Sequence, residues 1–283
     1  MTLEKIAIIG AGTMGNGIAQ VCAQVGLEVT VLDISPPALA QAMETIKKNL
    51  GRLVSKGTLS DESADAALLR IRTTTDYSQL ADAQWVIEAA TENLDLKTRL
   101  LRQVADQVHP SCIIASNTSS LSITQLAASV ERPERFVGLH FFNPVPMMGL
   151  IEVIRGLQTS ETTYHHALAL TERLGKTAIT AGNRPGFVVN RILVPMINEA
   201  IMVLQEGLAS AEDIDNGMRL GCNQPIGPLA LADLIGLDTL QSILEAFYDG
   251  FKDSKYRPAP LLKEMVAAGY LGRKSGRGFH SYP

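Results

Sequence analysis

The sequence predicts an α/β protein: a doubly wound, mostly parallel sheet followed by a C-terminal all-helical domain. Three observations carry this. Short Val/Ile-rich runs alternate with helix-length segments over residues 1–181, as expected of a sheet covered on both faces. The first run opens directly into a glycine-rich turn and a helix. Past AGNRPGF (181–187) the strand signal stops and apolar helical patterns take over. The 283 residues also exceed one ordinary core, so two domains are expected, 1–183 and 184–283.

Taken in order, strands are expected at KIAIIG (5–10), EVTVLD (28–33), IRTTT (71–75), WVIEA (85–89), CIIASN (112–117), RFVGLHFF (135–142), LIEVIRG (150–156) and TAIT (177–180). The later ones lie close together in sequence and could pair antiparallel. In the second domain, VVNRILVPMINEAIMVLQEGL and PLALADLIGLDTLQSILEAFYDGF read as long apolar helices, with shorter pieces near 211–220 and 260–268. Pro195 falls inside the first and should kink it. These helices are apolar around much of their circumference, which favours burial against a partner subunit as well as each other. A homodimer through this domain is expected.

Composition narrows the function classes. The chain is 46% hydrophobic and 19% charged, as in ordinary globular proteins. A formal net charge of -4 argues against a nucleic-acid partner, which usually meets a basic excess. Cys22, Cys112 and Cys222 are far apart, with no CxxC or Cys/His cluster, so neither a metal site nor a disulfide framework is indicated. The N-terminus enters the first strand motif directly, without a signal-peptide pattern. No apolar run reaches the roughly 18–20 residues that span a bilayer. No membrane partner and a cytoplasmic location are the expectation.

The turn after the first strand reads Gly10-Ala11-Gly12-Thr13-Met14-Gly15. Alone, GxGxxG is a weak signal. Here a strand precedes it, a helix follows, and a second strand ends in Asp33, 18 residues past Gly15. That is the pattern of a Rossmann-like dinucleotide site, with the pyrophosphate at the helix N-terminus and the acid on the adenosine ribose. A carboxylate at Asp33 repels a 2′-phosphate, so NAD is preferred over NADP.

Two further stretches bear on chemistry. Glu152 interrupts an apolar strand between Ile151 and Val153, where a carboxylate is costly to bury without a partner. His140 ends the preceding strand, and FFNPVPMMG is short enough to bring Glu152 back beside it. A His–Glu pair of this kind fixes the imidazole tautomer and stabilises the imidazolium that forms when the ring takes a hydroxyl proton. Taken singly, His140 could be a satisfied core histidine and Glu152 an edge-strand acid facing water.

Ala115-Ser116-Asn117-Thr118-Ser119-Ser120, HFFNPVP (140–146) with LIEVI (150–154), PGFVVNR (185–191) and GRKSGRGF (272–279) together closely resemble the L-3-hydroxyacyl-CoA dehydrogenase family, essentially from end to end. The resemblance implies an NAD-dependent oxidation of the 3-hydroxyl of a short acyl-CoA, with His140 and Glu152 catalytic. It also implies that Ser119 and Asn190 bind the C3 oxygen or the thioester carbonyl. It places Glu92 and Lys97 near the cofactor, and Asn143 and Lys274 at its nicotinamide half. Each has a plainer reading: a helix N-cap for Ser119, a polar residue on an early helical turn for Asn190, solvated helix-start charges for Glu92 and Lys97, a frayed tail for Lys274.

Lys48, Arg52 and Lys56 recur at i, i+4 and i+8 on one face of the helical stretch 37–56, a docking strip for CoA phosphates or an ordinary solvent face. The chain departs from the family pattern at Gly149, at Asn183-Arg184 and at His280, none a proposed catalytic position. Two rivals stand beside the main reading: a dehydrogenase of a non-CoA hydroxy acid or sugar acid, and a non-catalytic NAD-sensing protein. The acyl group is open as well, and a 3-hydroxyadipyl chain is one alternative.

Overall fold

The computed structural model describes residues 3–282. Contacts divide the chain into two compact units between Asn183 and Arg184.

In the first unit, eight strands form one sheet: β1 (Lys5–Ile9), β2 (Glu28–Leu32), β3 (Ile71–Thr74), β4 (Trp85–Glu88), β5 (Ile113–Ser116), β6 (Phe136–Phe141), β7 (Leu150–Arg155) and β8 (Thr177–Gly182). Their spatial order is β3-β2-β1-β4-β5-β6-β7-β8. All neighbours pair in parallel except β6 and β7. The central strands are covered on both faces, which is why they read as unbroken apolar runs: Ile6, Ala7, Ile8 and Ile9 are all buried.

Six helices cover this sheet: α1 (Thr13–Gln24), α2 (Pro36–Ser55), α3 (Asp61–Leu69), α4 (Leu94–Ala105), α5 (Ile123–Ala127) and α6 (Glu161–Arg173). The expected antiparallel pairing holds for β6 and β7, which a short loop joins. It does not hold for β7 and β8, because α6 carries the chain back across the sheet and delivers β8 parallel. Burial pushes the Cys22 and Cys112 thiols up to about 12, so both are inert structural groups.

The second unit contains α7 (Val189–Gln205), α8 (Ala211–Gly221), α9 (Pro228–Ile235), α10 (Leu237–Phe251) and α11 (Pro260–Ala267) around a core that includes Val194, Ile197, Leu229, Leu240, Leu244 and Phe247. Residues 228–251 are not one helix, as their apolar pattern suggests, but two. Gly236, at φ +100°, ends α9 and begins α10, a conformation that side-chain-bearing residues rarely adopt. Pro195 lies within α7, which remains a continuous helix. Among the described residues no helix is long and apolar enough to cross a membrane.

Candidate active site

Strand order reverses between β1 and β4, and ligands of open α/β sheets bind at the carboxyl ends of the strands at such a point. There β1 runs into Gly10, at φ +101°, where a Cβ would come within 2.8 Å of the Ala89 carbonyl oxygen. A Cβ on Gly15 would overlap the Gly10 carbonyl oxygen at 1.8 Å, so only glycine lets α1 sit down on this loop. At Gly12 a Cβ meets no protein atom within 4 Å and would stand in the cleft itself.

The helices α2 to α6 each begin at a residue whose side chain accepts a backbone N–H: Ser35, Ser60, Asn93, Ser122 and Ser160. In contrast, α1 begins at Gly12 with no side-chain cap, leaving its first N–H groups, Thr13 and Met14 among them, directed at the cleft. Asp33 accepts the Ala11 N–H on Oδ2 at 2.8 Å and the Ser35 N–H on Oδ1 at 2.9 Å. It lines a cleft of about 590 Å³ with Gly10, Gly12, Ile34, Tyr77 and Ala89. An uncapped helix end, an open glycine and an oriented acid fit a dinucleotide. Asn143 lines the neighbouring cleft with Gly12, Thr13 and Asn16.

His140 and Glu152 stand directly opposite each other in the antiparallel β6–β7 register. The imidazole Nδ1 lies 2.6 Å from Glu152 Oε2; Glu152 is fully buried and His140 nearly so. The pair lies at the carboxyl-end edge of the parallel strands, the one at which β1 opens into the glycine loop. The turn after β5 reaches this edge too, tied to the end of β6 by a 2.9 Å hydrogen bond from the Phe141 N–H to Asn117 Oδ1.

That turn carries Ser119, half-buried. The helix cap expected of Ser119 belongs instead to Ser122, whose hydroxyl accepts the Gln125 N–H at the start of α5. Ser119 is held by Glu92: its N–H donates to Oε1 at 2.9 Å and its hydroxyl at 3.3 Å, beside donors from Thr118 and Ser120. Burial alone would push the Glu92 carboxyl up. The Lys97 ammonium and the hydrogen bonds from Thr118, Ser119 and Ser120 outweigh it and hold that carboxyl below its usual range.

Lys97 is no solvated helix-start charge. It is 1% exposed and donates to Glu88 at 2.6 Å and to the Ala90 carbonyl at 3.0 Å, with Glu92 Oε2 at 3.4 Å. Glu88, at the end of β4, is a buried carboxylate that sequence reasoning missed; the only trace was an acid closing an apolar run.

The remaining residues are placed as follows. Lys48 and Arg52 are exposed on α2, and Lys56 is exposed immediately beyond its end. In the second unit Asn190 falls on the first turn of α7, half-buried. There Lys274 pairs with Asp238 at 2.6 Å, in a tail that folds rather than frays. Two departures from the family pattern have structural work: Asn183 accepts the Ile123 N–H and donates to Ser122 and Thr124 at the start of α5, and His280 Nε2 lies 2.8 Å from Asp215.

A dinucleotide cradle and a histidine–carboxylate pair on one sheet edge are the equipment of a nucleotide-dependent dehydrogenase. Comparison with known proteins narrows the class. Family profiles described as the NAD binding domain and the C-terminal domain of 3-hydroxyacyl-CoA dehydrogenase match residues 5–184 and 186–282. A probable 3-hydroxybutyryl-CoA dehydrogenase of Deinococcus radiodurans is 51% identical, covering 98% of this chain and 100% of its own. A 3-hydroxybutyryl-CoA dehydrogenase of Bradyrhizobium diazoefficiens is 48% identical over 99% of this chain and 96% of its own. The crystal structure of an (S)-3-hydroxybutyryl-CoA dehydrogenase from Ralstonia eutropha superposes with a TM-score of 0.97 at 58% identity, covering 100% of both chains. The protein belongs to the 3-hydroxyacyl-CoA dehydrogenase family and is an NAD-dependent oxidoreductase.

Proposed function

We propose that the protein reversibly interconverts short-chain (S)-3-hydroxyacyl-CoA and 3-oxoacyl-CoA, with 3-hydroxybutyryl-CoA and acetoacetyl-CoA as its favoured pair. The observation that carries the reading is the 2.6 Å contact between His140 Nδ1 and Glu152 Oε2. Glu152 occupies Nδ1, so Nε2 is the atom that exchanges a proton with the substrate hydroxyl. The carboxylate fixes that tautomer and stabilises the imidazolium formed as the alcohol loses its proton. In the reductive direction the same nitrogen returns the proton to the C3 oxygen. NAD, held by Gly10, Gly12, Gly15, the N–H groups of Thr13 and Met14, and Asp33, supplies a hydride acceptor when bound. The acid at Asp33 disfavours a 2′-phosphate and so NADP.

Ser119 and Asn190 are assigned to the C3 oxygen and the thioester carbonyl, orienting the substrate rather than reacting. Asn143 and Lys274 are assigned to the nicotinamide half. Lys48, Arg52 and Lys56 form a basic strip for the CoA phosphates, and their exposure supports this. The second unit is assigned to homodimerisation. The deciding assay follows NADH absorbance with acetoacetyl-CoA and its longer homologues, with NADPH in parallel. Turnover is expected to be fastest with acetoacetyl-CoA and NADH. Oxidation of free hydroxy acids with none of the thioesters would overturn the reading.

A further inference from the structure

We infer that Glu88 is a positioning residue for the reaction: from inside the sheet it sets the Ser119 turn, through Lys97 and then Glu92. The inference rests on Ser119 acting at the substrate as proposed above. Glu88 is fully buried and touches neither cleft in its own right. Its Oε1 accepts the Ala90 N–H and the Lys97 ammonium, both at 2.6 Å, and its Oε2 accepts the Ser116 hydroxyl at 2.6 Å.

A buried carboxylate and ammonium could exist merely to neutralise each other. The geometry shows more than that. An ammonium has three donors; Lys97 hydrogen-bonds Glu88 and the Ala90 carbonyl and also keeps an ion-pair contact with Glu92 Oε2 at 3.4 Å. Two of these groups border the sites already described. Ala90 lines the dinucleotide cleft, and Glu92 is the acceptor on which Thr118, Ser119 and Ser120 converge. Ser116, the other partner of Glu88, closes the strand from which that turn departs. One carboxylate therefore fixes both ends of the connection, the root of the turn and the cation that orients its acceptor. Released from Glu88, Lys97 would be drawn fully onto Glu92, competing with the donors of Ser119 and Ser120.

The test compares Glu88→Gln, Lys97→Met and the double variant as full-length enzymes. The glutamine keeps shape and an acceptor for the Ala90 N–H, so the fold should survive. In each single variant kcat with acetoacetyl-CoA is expected to fall roughly 10²-fold, the scale of a ~1 Å misplacement. In Glu88→Gln, which touches neither cleft, NADH affinity by fluorescence titration should barely move. Deuterium uptake of peptides covering 117–121 should rise, because the Ser119 and Ser120 N–H groups lose a fixed acceptor. In Lys97→Met, Glu92 also loses the cation that holds its carboxyl low, so the acid limb of kcat/KM moves to higher pH. The neutral double variant separates the two explanations: thermal stability should recover while turnover and exchange stay impaired. Recovery of turnover with stability would reduce the pair to charge neutralisation and overturn the inference, as would unchanged exchange at 117–121 in either single variant. A parent enzyme inactive on thioesters tells against the proposed substrate alone, and exchange then decides the role of Glu88.

Discussion

His140 and Glu152 face each other in a non-bulged register between two buried strands, so neither can move far without breaking the ladder that carries both. This rigidity is what a proton-transferring group needs, since its efficiency depends on being within hydrogen-bond reach of the reacting oxygen. Replacing His140 by alanine should cut kcat by at least ~10²-fold while leaving NADH binding near normal; stopped-flow turnover and fluorescence titration check both halves. Near-normal turnover would mean another residue is the base. The pair was legible in the sequence because each member breaks an apolar run, and a short connection can bring the two breaks together. Glu88 was not legible for the opposite reason. An acid at the end of WVIE looks like a strand meeting solvent, and only the fold shows Lys97 reaching back across the β4–α4 loop to bury with it. The family resemblance implied that Glu92 and Lys97 lie near the cofactor. That their immediate partners are the Ser119 turn and Glu88 depends on tertiary contacts that no local spacing encodes.

At the scale of elements, the six interior strands were readable because burial on both faces writes itself as apolar runs. The edge strands β3 and β8 are partly exposed and carry a weaker pattern, yet all eight ends fall within a residue or two of expectation. What local pattern could not show was the break at Gly236, where apolar residues continue on both sides and only the backbone conformation changes. The glycine loop and α1 depend on backbone approach rather than side chains. Gly15→Ala would force a Cβ into the Gly10 carbonyl oxygen. The loop must shift, weakening NADH binding at least ~10-fold and destabilising the fold by about 1–3 kcal/mol; titration and thermal denaturation measure the two effects, and unchanged affinity would show that the loop is not the pyrophosphate seat. On α2 the prediction is kinetic. Lys56 is exposed just past the helix end, so Lys56→Ala costs little stability but should raise the KM for acetoacetyl-CoA and leave that for NADH alone. Loss of the difference at high salt would support an electrostatic origin. An unchanged KM at low salt would remove the basic strip from the substrate site.

For the whole molecule, the division between Asn183 and Arg184 separates two compact units, each with its own core. In the second unit several large apolar side chains reach the surface, among them Ile192 at 67%, Leu220 at 82% and Leu234 at 54% exposure. Ile192 lines an apolar groove of about 450 Å³ together with Leu193, Met196, Ile226 and Leu231. Single exposed leucines need no explanation, but an apolar groove lined by several such side chains is the usual mark of an interaction surface. A second copy of the chain is the occupant that the apolar circumference of these helices anticipates. A dimer of two 30.5 kDa chains is therefore expected in sedimentation equilibrium at micromolar concentration. Ile192→Glu places a charge in the groove at a position already open to water, so the folded chain should persist while the dimer dissociates. Circular dichroism should be unchanged and the apparent mass should fall toward that of one chain. A wild-type protein sedimenting as a monomer, or an Ile192→Glu variant that stays dimeric, would place the contact elsewhere and leave this groove for another role.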